Sequence, residues 1–370
     1  MKKLTAMLLA GAMMLSLAAC GGGGGGGNTS GGGNAGGGNG GGGSAATDTE
    51  KYAGLSKVSL IGADSTGKGA AGQLFGELVT AKVNEITGGQ LTIEYFPNGE
   101  LGGDADLLRQ LQSNDIQLVV CQTAPVVSFV PEVAVFDLPM VFAQYDAATI
   151  DKVLNGDSEF NSQLGAAFNN AGLQLMGTLQ GATYRLTTSN SALNTIDDFS
   201  GLLIRTMENP NHMSFWQALK AQPTPMAWTE VFFALQSGNI AAEENAADTI
   251  VGANLQEVQK YLACTNHILY ANMMTMNKDA WDSLDPLYQE ALQQAVSEAL
   301  AEMGPQLTQI DLDNKKTLTE DSGNNNMTLI EYDNDFFAEV LALPAVQELY
   351  SSIDSQVGGL GTILQNELAG

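Results

Sequence analysis

The chain of 370 residues carries three arginines, Arg109, Arg185 and Arg205, among its 15 Lys+Arg residues. Arg185 and Arg205 stand in apolar, strand-like contexts rather than on a solvated helix face. Leu202, Leu203 and Ile204 read as a short buried strand that ends in Arg205. A guanidinium cannot be neutralised, and burying it is costly unless an anion meets it. Its planar fork fits a carboxylate through two atoms at once. Two chemistries follow: capture of an organic anion, or pairing with an acid of the same chain. Asn245 is a candidate to share a ligand carboxylate with Arg205 through its NH2 donor. A hydrogen bond to a charged group contributes about 1.5–3 kcal/mol, whereas a micromolar ligand needs about −8 kcal/mol. One clamp is therefore insufficient, and further contacts with closure around the ligand are required.

Catalytic groups are scarce. The only histidines are His212 and His267. No HExxH, CxxC cluster, GxSxG elbow or phosphate loop is present, so no catalytic residue, metal or cofactor is assigned. Glu243 and Glu244 are adjacent, and an extended backbone points them to opposite faces, which excludes a working acid/base dyad. His267 lies in an apolar segment and reads as a hydrogen-bonded core histidine.

The elements that must position these residues follow from periodicity and breakers. Pro223 and Pro225 interrupt the chain. A helix from Ala227 to Gln236 then places Trp228, Val231, Phe232 and Leu235 on one face and stops at Gly238. Trp228 either stacks on a ligand or packs with Phe232. Earlier, strands are predicted at 58–61, 91–96, 116–120 and 173–179, with helices at 70–86, 104–112, 146–155 and 158–171. This alternation indicates an α/β fold with a mixed or mostly parallel sheet. His267 to Met276 reads as a strand. Asp285-Pro286 starts a helix that runs to Thr319, with a kink expected at Gly304-Pro305. Helices follow at 333–343 and 344–366.

The N-terminus is a targeting segment. Lys2 and Lys3 precede an apolar run, Leu4 to Leu17, that is shorter than a membrane span. Leu17-Ala18-Ala19-Cys20 reads as a lipobox, which makes 1–20 a lipoprotein signal peptide and Cys20 the lipidated residue. Residues 21–55, dominated at first by Gly, Asn, Ser and Thr, read as a flexible tether with a reach of roughly 30 Å. Cys121 and Cys264 are either paired or buried thiols, and the apolar run before Cys121 suggests the latter. A net charge of −26 argues against nucleic acid or an anionic membrane face as partner. Any anionic ligand is drawn in by a local cationic site.

The sequence resembles the extracytoplasmic solute-binding proteins of tripartite ATP-independent periplasmic (TRAP) transporters, of the dicarboxylate-binding-protein type. The resemblance rests on Tyr184-Arg185-Leu-Thr-Thr-Ser-Asn190, Phe199-Ser-Gly-Leu-Leu-Ile-Arg205, Pro223-Thr-Pro-Met226, Glu230-Val-Phe-Phe-Ala-Leu-Gln236 and Glu244-Asn245. It continues through Glu257-Val-Gln-Lys-Tyr261 and Thr265-Asn-His-Ile268, and covers about residues 57–350. It implies a two-lobed periplasmic-binding-protein-like fold with mixed sheets, a ligand cleft between the lobes and a long helix crossing both. Residues 56–182 plus 271–310 would form lobe I, and 183–270 plus 311–370 lobe II. In that family the arginine at the Arg205 position clamps the substrate carboxylate, helped by the asparagine at the Asn245 position, and the Arg185 position lies in the same cleft. Trp228, Gln122 and Asp64 match cleft-facing positions, and Asn209 is a weaker candidate. Gln122 and Asp64 read equally well as strand-end or turn residues.

In pattern the chain is nearest the sialic-acid-binding subgroup, with departures. Gln122 stands for a Glu, Pro125 for an Arg, Met207 for a Pro, and Ala241-Ala-Glu-Glu-Asn245 for Asp-Gly-Gln-Glu-Asn. These weaken sialic acid as the ligand. The implied partners are a small carboxylate, the small and large TRAP membrane subunits, and the outer face of the cell membrane through Cys20. The alternatives are an exported lyase or hydrolase acting on acidic sugars, or a ligand-sensing protein for a membrane receptor.

Overall fold

A computed structural model describes residues 49–370; the signal peptide, Cys20 and most of the tether lie outside the described residues. The tether ends earlier than expected. Thr49–Tyr52 forms a 3-10 turn, and Tyr52 is fully buried with its ring stacked 6.0 Å from that of Tyr288. An aromatic ring of that size buries enough apolar surface to order the turn.

Two mixed sheets organise the described residues. The first contains β1 (Val58–Asp64), β2 (Leu91–Phe96), β3 (Leu118–Gln122), β4 (Leu173–Leu179) and, from much later in the chain, β10 (Asn272–Asn277). Its order is β2-β1-β3-β10-β4; β1 runs parallel to β2 and β3, and β10 antiparallel to β3 and β4. The second contains β5 (Leu186–Ser189), β6 (Leu203–Thr206), β7 (Gln222–Pro225), β8 (Ala242–Asn245), β9 (Tyr261–Ala263) and β11 (Thr328–Ile330), in the order β11-β9-β5-β8-β6-β7. The prolines of β7 sit on an edge, where a missing N–H does no harm. The expected α/β, two-sheet architecture is thus present.

Period-two burial fixes the first sheet. Leu118 and Val120 join one apolar cluster, with Phe75, Val79 and the long helix; Val119 and Cys121 join the other. The helix Ala71–Thr87 stops where Gly88 takes a left-handed φ of 59°. The helix Pro286–Thr319 begins as predicted, with the Asp285 carboxylate accepting from Leu287 N at 2.9 Å. Its 34 residues run through Pro305 without a break and span about 50 Å. It packs on the first sheet through Tyr288 to Leu307 and reaches, with Leu318, a third apolar cluster that holds Leu186, Val231 and Leu262.

Several boundaries move. The strand expected at 116–120 begins at Leu118, because the Gln117 side chain is drawn aside to accept from Ile61 N at 2.9 Å. The strand expected from His267 starts only at Asn272. Residues 264–271 are instead a crossover between the sheets, running beside 180–185, with Arg185 N donating to Ile268 O and Tyr270 N to Thr183 O. The helix expected over 344–366 divides into Pro344–Gln356 and Leu360–Ala369, because Gly358 and Gly359 take positive φ. That last helix packs on the helices Ala147–Asn155 and Glu159–Asn170, where the Glu367 carboxylate accepts from Glu159 N and Phe160 N.

Candidate functional site

Arg205 lies at the carboxyl end half of β6, flanked by β7 and β8. It is 2% exposed. Its Nε and Nη2 both donate to the Met226 carbonyl, at 2.9 and 2.7 Å. Nη1 has no hydrogen-bond partner among the described residues. The fork is therefore half spent on the backbone, and one nitrogen remains for an anion. Burial lowers the guanidinium pKa to about 10, while Glu243 and Glu244 oppose that shift; the charge is retained at neutral pH. Trp228, the first residue of the helix Trp228–Ser237, lies with its ring centroid 5.5 Å from the guanidinium carbon.

Arg205 and Trp228 line a cavity of about 260 Å³. Met207, Glu208 and Met226 line it from the same side, and the facing wall comes from the first-sheet side: Asp104 at the start of the helix Asp104–Gln112, and Pro125 and Phe129 beyond β3. The strand that carries Arg205 is part of the second sheet, and the helix that Trp228 opens follows the edge strand of that sheet. The cavity thus lies between the two sheet systems.

Arg185 does not behave as Arg205 does. Its Nε donates to Glu244 Oε2, Nη2 to the Glu244 carbonyl at 2.7 Å and to Oε1 at 3.0 Å, and Nη1 to Gln122 Oε1. It is 1% exposed and its fork is closed by its own chain. Of the two readings left open for the arginines, internal pairing holds for Arg185 and an available donor holds for Arg205. Burial alone would raise the Glu244 carboxyl, but Arg185, the hydrogen bond with His267 and the nearby His212 ring hold it well below the usual range. His267 is the hydrogen-bonded core histidine expected, bridging Thr265 Oγ1 and Glu244 Oε2.

Four candidates are placed away from the cavity. Gln122 is occupied by Arg185. Asp64 is 1% exposed and braces a turn, its Oδ1 accepting from Thr66 N, Thr66 Oγ1 and Asn98 N. Asn209 caps the helix Pro210–Ala218 and donates to Asp137 Oδ2 at 2.9 Å. Asn245 shares a sheet face with Arg205, but it is 2% exposed and its Oδ1 accepts from Ala246 N at 3.1 Å. Glu243 and Glu244 point to opposite faces of β8: Glu243 pairs in register with Arg205 and Thr188, Glu244 with Thr187.

Sequence reasoning missed Asp104, Phe129 and the Asp137–His212 pair. His212 Nε2 lies 3.1 Å from Asp137 Oδ1, both fully buried. Asp104 stands at the first position of a predicted helix, where an acid has an ordinary capping explanation that hid its place on the cavity. Cys121 and Cys264 are both free and buried. Among the described residues, no three acids, histidines or cysteines are arranged to hold a metal ion, and no helix is long and apolar enough to cross a membrane.

Comparison with known proteins gives a consistent result. The family model for bacterial extracellular solute-binding protein, family 7, matches residues 62–352. A solute-binding protein of Verminephrobacter eiseniae is 31% identical over 210 residues, 57% of this chain and 62% of that one, so the match spans less than two thirds of that relative. The sialic acid-binding periplasmic protein SiaP of Vibrio cholerae is 27% identical over 287 residues, 76% of this chain and 84% of that one. The crystal structure of the sugar acid binding protein DctPAm from Advenella mimigardefordensis, in complex with galactonate, superposes with a TM-score of 0.76. It shares 23% identity and covers 85% of this chain and 99% of that one, a likeness of fold. Because the family match extends over well more than half the chain and the two-sheet architecture agrees with it, the chain belongs to family 7 of the bacterial extracellular solute-binding proteins.

Proposed function

We propose that this chain captures a small organic acid outside the cytoplasm and hands it to the small and large membrane subunits of a TRAP-type transporter. Arg205 holds the ligand carboxylate through Nη1, Trp228 forms the wall beside it, and Cys20 carries the lipid that keeps the protein at the outer face of the membrane. The observation that carries this reading is a buried guanidinium with one nitrogen unpartnered, lining a cavity between two sheet systems. A buried charge of that kind is costly without an anion. The relatives support the class: one is named for sialic acid, one crystal structure holds galactonate and another, from Shewanella oneidensis, succinate. Arg185, Gln122, Asn245, Asn209 and Asp64 enter this reading as the scaffold behind the cavity rather than as ligand contacts.

The test is direct. The purified chain is denatured and the small molecules released are identified by mass spectrometry; calorimetric titration with each candidate follows. Recovery of an organic acid that binds the wild type and fails to bind Arg205→Ala is the expected result. Titrations in which Arg205→Ala binds the recovered acid as tightly as the wild type would refute it.

A further inference from the structure

We propose that the acid held at Arg205 carries a single carboxylate with hydroxyl or ammonium donors away from it, and that Asp104 selects for those donors; this rests on the anion-capture reading above. The cavity offers one cationic corner. Arg205 gives Nε and Nη2 to the Met226 carbonyl and keeps Nη1 for a ligand. A second ligand carboxylate meets no other buried cation there. Arg185 is closed by Glu244 and Gln122. Arg109 also lines the cavity, with Nη1 on Asp106 Oδ1 at 2.8 Å, but its side chain is 65% exposed, so solvent screens the charge that it offers a second carboxylate.

The remaining charged lining is acidic, Asp104, Asp106 and Glu208, beside the neutral hydroxyl of Ser128. Asp104 Oδ1 accepts from Ser65 Oγ and, at 3.5 Å, from Cys121 Sγ. Those two bonds fix the carboxylate, and Oδ2 makes no hydrogen bond among the described residues. An ionised carboxylate accepts only. It therefore rewards an O–H or N–H on the ligand and repels a second carboxylate by like charge. Trp228 and Phe129 supply the apolar faces against which the carbon skeleton lies. Asp104 is thus a specificity-determining residue that faces the Arg205 corner across the cavity.

Four acids of six carbons separate these features: D-gluconate has hydroxyls, 6-aminohexanoate an ammonium, adipate a second carboxylate and hexanoate none of them. Each is titrated calorimetrically into the full chain and into Asp104→Asn, with melting temperature as the control for folding. The expected result is that gluconate or 6-aminohexanoate binds the wild type at least tenfold more tightly than adipate and hexanoate, the better of the two telling hydroxyl from ammonium. Asp104→Asn then reduces that preference at least tenfold. Adipate or hexanoate binding the wild type as tightly as the better donor acid overturns the inference while leaving anion capture intact, and an unchanged preference in a folded Asp104→Asn overturns the role of Asp104. Failure of all four acids to bind overturns this inference, while the capture reading is decided by the released acid and Arg205→Ala.

Discussion

Arg205 on β6 and Glu243 on β8 stand opposite each other in register, on one face of the second sheet, and each has one buried atom without a hydrogen-bond partner: Nη1 and Oε2. Burial, then the neighbouring charge of Glu244, pushes the Glu243 carboxyl up to about 7. The folded chain consequently binds more protons than the unfolded one between the ordinary value near 4.5 and 7, and this group's stability is lost as pH rises through that window. Glu243→Gln removes the effect. Relative to wild type, the variant is expected to gain about 1–3 kcal/mol between pH 5 and pH 8. Chemical denaturation at the two pH values measures it; an unchanging difference would show that Glu243 does not titrate in the folded chain.

Arg205→Ala is expected to weaken ligand binding about 100-fold or more, because the one available donor and its charge are both removed. Arg205→Lys keeps a charge but cannot hold the Met226 carbonyl with two nitrogens while offering a third, so a loss of about 30-fold is expected. Calorimetry on both variants decides; affinity of the lysine variant within threefold of wild type would count against a guanidinium contact.

Trp228→Ala removes a ring lying over the guanidinium and one wall of the cavity. A cation–π contact contributes about 0.5–2 kcal/mol, so affinity should fall about 3- to 30-fold, with Trp228→Phe intermediate. Binding curves for the three proteins check the order, and equal affinities would place Trp228 in packing alone.

His212 carries the opposite pH signature to a depressed carboxylate. Burial would lower its pKa, but the hydrogen bond to Asp137 and the Glu244 carboxylate 3.6 Å from Nδ1 outweigh this and lift it to about 9. Its contribution is present in full below the unfolded value near 6.5 and is lost as pH rises through 9. His212→Asn should therefore cost about 2–3 kcal/mol at pH 6 and much less at pH 10. Denaturation at both pH values would expose a flat penalty, the outcome that sinks a charged His212.

Gly181→Ala tests the junction where the crossover meets the long helix. A Cβ there would stand 2.4 Å from Leu307 Cβ, and Thr308 Oγ1 already donates to Gly181 O at 2.9 Å. Overpacking of this kind costs about 1–3 kcal/mol. A melting temperature equal to wild type would mean that the helix yields.

The architecture was legible where periodicity and breakers agree: the helix from Ala71 ends at Gly88, and Asp285-Pro286 starts another. It was less legible where one residue type has two uses. Arg185 and Arg205 look alike in sequence, and only tertiary pairing tells the closed fork from the available one. Asp64, Gln122, Asn209 and Asn245 are polar residues at strand or helix ends, where bracing and ligand contact have the same local signature. Asp104 was hidden by its ordinary place at a helix start. The Asp137–His212 contact joins residues 75 apart, and nothing local encodes it.

The Met226 carbonyl has a thermodynamic consequence for whatever the cavity receives. An arginine free to rotate would surrender about 2 kcal/mol of side-chain disorder on meeting its ligand. Here two bonds to a backbone oxygen and an overlying indole immobilise the guanidinium during folding, so association is spared that entropic loss, and tight retention becomes attainable through few polar contacts.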